Sequence, residues 1–557
     1  MTTDPTTLEP ARPPSPDLAR AIERLTSALG APQVIASHDE LARRARDTSW
    51  ADAVPAAIVM PGTTEQVQAV VRIARELGVA LWPYSGGRNW GYGGSRPLTA
   101  GSIAVSLERM NRIIEHDEEL AYVVLEAGVT FRQLYDHLRG RASRLWCSPT
   151  DGPPDGSVIG NALDRGVGST PYGDHFANLC GIQAVLPDGT LAERGASGPG
   201  ARTHYTHRTG LGPHTDALFA QSNYGIVTRA GVWLMPAPDR TLVFVLQGDD
   251  ERLPAMIDAL RRLGLSGTVQ SRVRVLNPQG LFGYFDGVAG RVAPGRRSDD
   301  ELAGLRRAHG LPAWTMIGAV YGTAGEVRAH RAAIARALRG LGGLRFVRPD
   351  RIARLEAVLR RIERAPRVPL VRRGIERAVR AALGASLDVL RVQPHLLRLW
   401  QGVPTERNIA FAYGRSGRAA PATDLDPARD GCGKVWFSPL VPMTGRAVAE
   451  VLQIGDALFR RHGFDFNVYM ISINARSIVA LMMIVYSRTL PGEEARAREL
   501  YAALRTAVRA LGYEQYRVAL WSMPDALDAA PGHRHLARTI KTALDPDGVL
   551  APGKYGL

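Results

Sequence analysis

From residue 56 onward, short apolar runs alternate with stretches in which apolar residues recur every three to four positions. The runs at 56–61 and 79–82 are continuous and bounded by turn residues, the pattern of buried strands. Between them, 63–78 opens Thr-Thr-Glu-Gln and closes on Gly78, which predicts a helix with both ends written in the sequence. Further strands are predicted at 102–106, 122–126 and 181–186, the last running into the Pro187-Asp188-Gly189 turn. An apolar run at 223–236 closes this first region. Ahead of it, 16–29 is helix-spaced, with Ser15 placed to cap it and Gly30 to end it. A second unit opens at the apolar run 241–246 and mixes strands with long Arg/Ala-rich helices to about residue 490. Its run at 478–485 is the longest of all, yet too short to span a bilayer, and reads as a core strand. The order predicts an α+β protein in four segments: 1–48, an extension and helix; 49–240; 241–490; and 491–557.

Composition narrows the class. At 557 residues and 45% hydrophobic, the chain is long enough for two domains with a large core. Cys147, Cys180 and Cys432 have no metal-ligand spacing, so reduced thiols and no metal site are expected. Residues 1–16 are polar and proline-rich, without the basic and apolar regions of a secretory signal, which predicts a cytoplasmic protein. The net charge of +15 invites a nucleic-acid reading. Its densest source, 351–380, holds ten arginines against three glutamates around a helix-spaced stripe of Ile352, Leu355, Leu359 and Ile362. No nucleic-acid-reading motif accompanies it. A solvated helical face is the plain reading, and a docking surface for an acidic partner or membrane the alternative.

Candidate chemistry concentrates after the strand at 79–82. Tyr84-Ser85-Gly86-Gly87-Arg88-Asn89-Trp90-Gly91-Tyr92-Gly93-Gly94 holds five glycines in its last nine residues, so backbone N–H groups can approach a ligand that a Cβ would exclude. Such a loop suits a pyrophosphate. It is neither a Walker loop, since Tyr92-Gly93 stands where Lys-Ser/Thr is needed, nor a dinucleotide G-x-G-x-x-G.

This loop, Gly160-Asn161-Ala162-Leu163-Asp164-Arg165-Gly166-Val167-Gly168 and Thr170-Pro171-Tyr172-Gly173-Asp174-His175 together resemble the vanillyl-alcohol oxidase/para-cresol methylhydroxylase family of FAD enzymes. The likeness continues collinearly through 222–228, Gly402-Val403-Pro404-Thr405, Trp436-Phe437-Ser438-Pro439, 512–517 and 550–554. It implies a two-domain flavoprotein with an FAD-binding domain of the para-cresol methylhydroxylase type and an α+β cap over the flavin. Segment 491–557 then returns to the FAD domain. By the same resemblance the cofactor would be held by Tyr84, Ser85, Gly86, Gly87, Arg88, Asn89, Gly156, Ser157, Gly160, Asn161, Gly166, Tyr172, Gly225, Ile226, Lys434 and Lys554.

The implied reaction needs a para-substituted phenol held as phenolate. Lowering a phenol's pKa from near 10 by about 3 units requires roughly 4 kcal/mol of anion stabilisation. Two hydroxyls and a permanent cation can supply it, and the matching positions are Tyr92, Tyr516 and Arg517. Hydride then leaves the benzylic carbon for flavin N5, giving a para-quinone methide. Asp174 matches the position beside N5, as charge stabiliser or base toward water; its plainer reading is a turn-capping aspartate. The resemblance implies O2 or a redox partner protein such as a cytochrome as acceptor, and a homodimer or larger homo-oligomer. Departures also matter. Lys434 and Arg88 stand where linking histidines occur, and 419–433 holds neither His nor Tyr, so non-covalent FAD is predicted. Trp90, Ser169 and the stretch 475–478 differ from the pattern and imply a reshaped pocket, open to a larger natural-product phenol.

Overall fold

The computed structural model describes residues 16–50, 53–193, 200–284, 288, 290–348, 374, 395 and 397–557. The arginine-rich stretch 351–380 therefore lies almost wholly outside the described residues.

The helix Thr64–Glu76 starts where Thr63 Oγ1 accepts from the Gln66 N–H, and it buries Val67, Val70, Val71, Ile73 and Ala74. That face packs on a four-stranded sheet ordered Val34–Ile35, Ala57–Val59, Ile103–Ser106, Leu81–Tyr84, its last three strands parallel. The strand predicted at 79–82 is displaced to Leu81–Tyr84, because the Val79 N–H bonds back to the Ala74 carbonyl and closes the helix first. A second sheet is antiparallel: Ile113–Asp117, Tyr122–Glu126, Ile226–Trp233, Leu179–Val185, Leu191–Glu193. Its edge strand Ile113–Asp117 is polar and partly exposed, so no apolar run announced it. The chain's end joins this region: Leu81 N–H donates to the Val549 carbonyl (2.8 Å) and Ala551 N–H to the Leu81 carbonyl (2.8 Å).

Residues 240–486 contribute the large antiparallel sheet, ordered Gly343–Val347, Arg240–Gly248, Trp314–Gly322, Arg274–Leu276, Asn467–Ser472, Ser477–Tyr486, Gly433–Phe437, with Leu440–Pro442 also on Ser477–Tyr486. Strand side chains alternate faces. Ile478, Ala480, Met482 and Ile484 enter the main core, where Val448 and Val451 of the helix Gly445–Arg461 and Leu500 and Leu504 of the helix Glu493–Ala510 are also buried. Val479, Leu481 and Met483 face the other way, into a cavity. One face of this sheet is thus a core and the other a roof.

Candidate active site

The cavity, about 400 Å³, lies between that roof and the first unit. The glycine loop, leaving the strand Leu81–Tyr84, lines one side together with Gly156, Ser157, Gly160, Asn161, Gly166, Gly225 and Ile226. The backbone N–H groups of Ser85 to Asn89 donate to no other described residue. Glycine is required here by close approach. A Cβ on Gly160 would lie 2.7 Å from Ser85 Oγ; one on Gly91, whose φ is +88°, would lie 2.8 Å from Trp436 and 2.9 Å from Lys434. This donor-rich, Cβ-free cradle fits a pyrophosphate.

Tyr92, Tyr516 and Arg517 gather at the cavity wall. Tyr516 and Arg517 are carried there by a loop docked on the roof, where the Tyr516 N–H donates to the Ser438 carbonyl (2.8 Å). The Arg517 guanidinium sits 4.6 Å over the Tyr92 ring, donates to Asn89 Oδ1 at 2.9 Å and pairs with the Asp164 carboxylate. Burial opposes its charge, yet Asp164 together with the Tyr92 and Tyr555 phenols outweighs burial and its pKa is raised. Its Nε–H is buried with no partner among the described residues. Tyr92 OH shares a hydrogen bond with Ser438 Oγ (2.5 Å), and Tyr516 OH donates to the Arg165 carbonyl (2.7 Å). Burial pushes both phenols up to about 12, against the nearby Arg517, so both stay protonated donors at neutral pH.

Two lysines also line the cavity. Lys434 Nζ lies 4.6 Å from the Trp436 ring centre and 5.4 Å from that of Phe411, and burial lowers its pKa to about 7. Lys554 is likewise lowered by burial, with Asp164 opposing. Arg88 lines the cavity and pairs with Asp426 at 2.6 Å.

Two expected positions fall elsewhere. Asp174 is exposed and absent from the lining; its carboxylate accepts the Ala177 N–H (3.0 Å), so it caps a turn. Tyr172 packs against the cluster of Met235, Tyr321 and Trp400 rather than lining the cavity. In their stead the lining holds Asp151, which sequence reasoning passed over because Thr150-Asp151-Gly152-Pro153 reads as an ordinary turn. Asp151 accepts from Tyr469 OH (2.6 Å) and Asn408 Nδ2 (3.2 Å) and pairs with Arg274 (2.7 Å).

A nucleotide-sized cradle of free backbone donors, beside a cavity roofed by a second domain, defines a flavin-binding protein, and the FAD binding domain family matches residues 55–195. The chain is 38% identical to 1'-carboxy-chondrochloren decarboxylase of Chondromyces crocatus over 97% of both chains. It is 29% identical to the 4-cresol dehydrogenase [hydroxylating] flavoprotein subunit of Pseudomonas putida, over 97% of this chain and 95% of that one. The structure of 4-ethylphenol oxidase from Gulosibacter chungangensis superposes with a TM-score of 0.83 at 28% identity, over 98% of each chain. The chain belongs to the vanillyl-alcohol oxidase/para-cresol methylhydroxylase family of FAD-dependent oxidoreductases. No helix among the described residues is long and apolar enough to cross a membrane.

Proposed function

We propose that this protein oxidises para-substituted phenols, 4-alkylphenols or 4-hydroxybenzyl alcohols, at the benzylic carbon. The observation that carries the reading is Arg517, stacked on Tyr92 with an unused buried Nε–H in the wall of the cavity that the glycine loop lines. A buried charged donor without an acceptor is costly, and a phenolate oxygen relieves it. Tyr92 and Tyr516 offer the two hydroxyl donors, Tyr516 exchanging its bond to the Arg165 carbonyl for one to the substrate. FAD, when bound, accepts the benzylic hydride, and the phenol is left as a para-quinone methide. Of the two carboxylates in the lining, Asp164 is committed to Arg517, which leaves Asp151 to take a proton from water adding to the quinone methide. For a carbinol substrate the same carboxylate takes the hydroxyl proton as the aldehyde forms.

FAD is bound without a covalent link. Lys434 occupies the histidine position, and the one nearby thiol, Cys432, is buried and pushed up to about 12, which makes it a poor nucleophile.

A second reading is favoured by the relative in Chondromyces crocatus. Where the substrate carries a carboxylate on the carbon next to the benzylic one, the quinone methide loses CO2. The C–C bonding pair becomes the new C=C, and the ring returns to phenolate.

The test is anaerobic mixing of the purified protein with 4-hydroxybenzyl or vanillyl alcohol, followed by flavin absorbance. Bleaching is the expected result; a flavin that stays oxidised with these and with 4-ethylphenol removes the phenol assignment. Air is then admitted. Prompt return of the yellow colour with peroxide marks O2 as acceptor, and slow return marks a redox partner protein.

A further inference from the structure

Among the described residues, the sheet that roofs the cavity presents charged side chains to it at two places, Lys434 and Arg274. Arg274 begins the short strand Arg274–Leu276 and is 2% exposed. Its guanidinium lies 4.6 Å over the Trp400 ring and 5.6 Å over that of Tyr469, which fixes its plane. One terminal nitrogen pairs with Asp151 and the other donates to Ser169 Oγ, while Nε–H is buried with no partner among the described residues. Around it the lining is Leu276, Ile317 and Ile471, none of which accepts a hydrogen bond from a side chain.

Burying a guanidinium in such a wall is unfavourable unless its donors and charge are used. Asp151 uses only part of them, since its own charge is shared with Tyr469 OH and Asn408. The geometry points to Arg274 as an anion anchor: the cavity selects phenols whose para side chain carries a carboxylate, held by Arg274 while Arg517 holds the phenolate. This rests on the phenol-oxidising reading above and adds its substrate class. The planar, ring-stacked fork is suited to carboxylate oxygens in a way that a lysine is not.

The test compares 3-(4-hydroxyphenyl)propionate with its neutral amide on the holoenzyme. The concentration dependence of anaerobic flavin bleaching gives a Kd and a limiting rate for each. The native protein is expected to bind the acid about tenfold or more tightly than the amide. In Arg274→Gln that ratio falls to near one, whatever happens to the limiting rate shared by both compounds. A native protein that binds the amide as well as the acid overturns the proposal without any variant. So does an Arg274→Gln protein that keeps the acid preference, which would place the carboxylate on Arg517 instead. Failure of the underlying reading is distinct: neither compound, nor 4-ethylphenol, would bleach the flavin at all.

Discussion

Arg274 is buried and Arg517 half-buried, and both are stacked on aromatic rings and left with an unused, buried Nε–H, yet they differ in what balances them. Arg517 has Asp164 and Asn89 as partners, which hold its cation in one orientation at the cavity wall. The Asp151 carboxylate is held by three donors, two of them neutral, and lines the cavity. Asp151→Asn is therefore expected to slow the conversion of the quinone methide to product by about 100-fold or more, the usual worth of a positioned acid–base group. Asp174→Asn, altering an exposed turn cap, is expected to change that rate less than about threefold. Stopped-flow comparison of the two variants decides which carboxylate acts; a larger loss at Asp174 would return the role to it.

At the level of elements, the site depends on one loop being able to touch another. Gly91 has a φ of +88° and its missing side chain is the space taken by Trp436 and Lys434. Gly91→Ala is expected to cost about 1–2 kcal/mol in backbone strain alone, with more from the overlap. The measurement is FAD retention on dialysis, expected to fall at least tenfold in affinity, with a lower Tm. This loop was legible from sequence because glycine density reports backbone approach directly. The trio was legible because Tyr92, Tyr516 and Arg517 lie in collinear motifs. Asp151 and Arg274 were not. Asp151 sits in a Pro/Gly-rich turn with no spacing to mark it, and Arg274 begins a three-residue strand in a chain with abundant arginine. Their importance exists only once Ser169, Tyr469, Asn408 and Trp400, far apart in sequence, converge on them. Asp174 shows the opposite case: it stands in the expected motif, and its carboxylate caps a turn outside the cavity lining.

The whole molecule joins its two units around the cavity, and the closing segment of the chain pairs with the strand that launches the glycine loop. The cradle is thus braced by residues far apart in the sequence, and FAD is proposed above to be held without a covalent link. Trichloroacetic acid precipitation is expected to leave a colourless pellet and release FAD to the supernatant; a yellow pellet would establish a covalent link. The strand Ser477–Tyr486 carries a further consequence. Its even-numbered side chains are buried in the main core, while Val479, Leu481 and Met483 line the cavity. A change at Val479, Leu481 or Met483 redraws the chamber while the packing behind it is left standing. Descendants of such a chain can trade one aromatic diet for another by single codon steps, and the architecture that makes the oxidation possible is passed on intact.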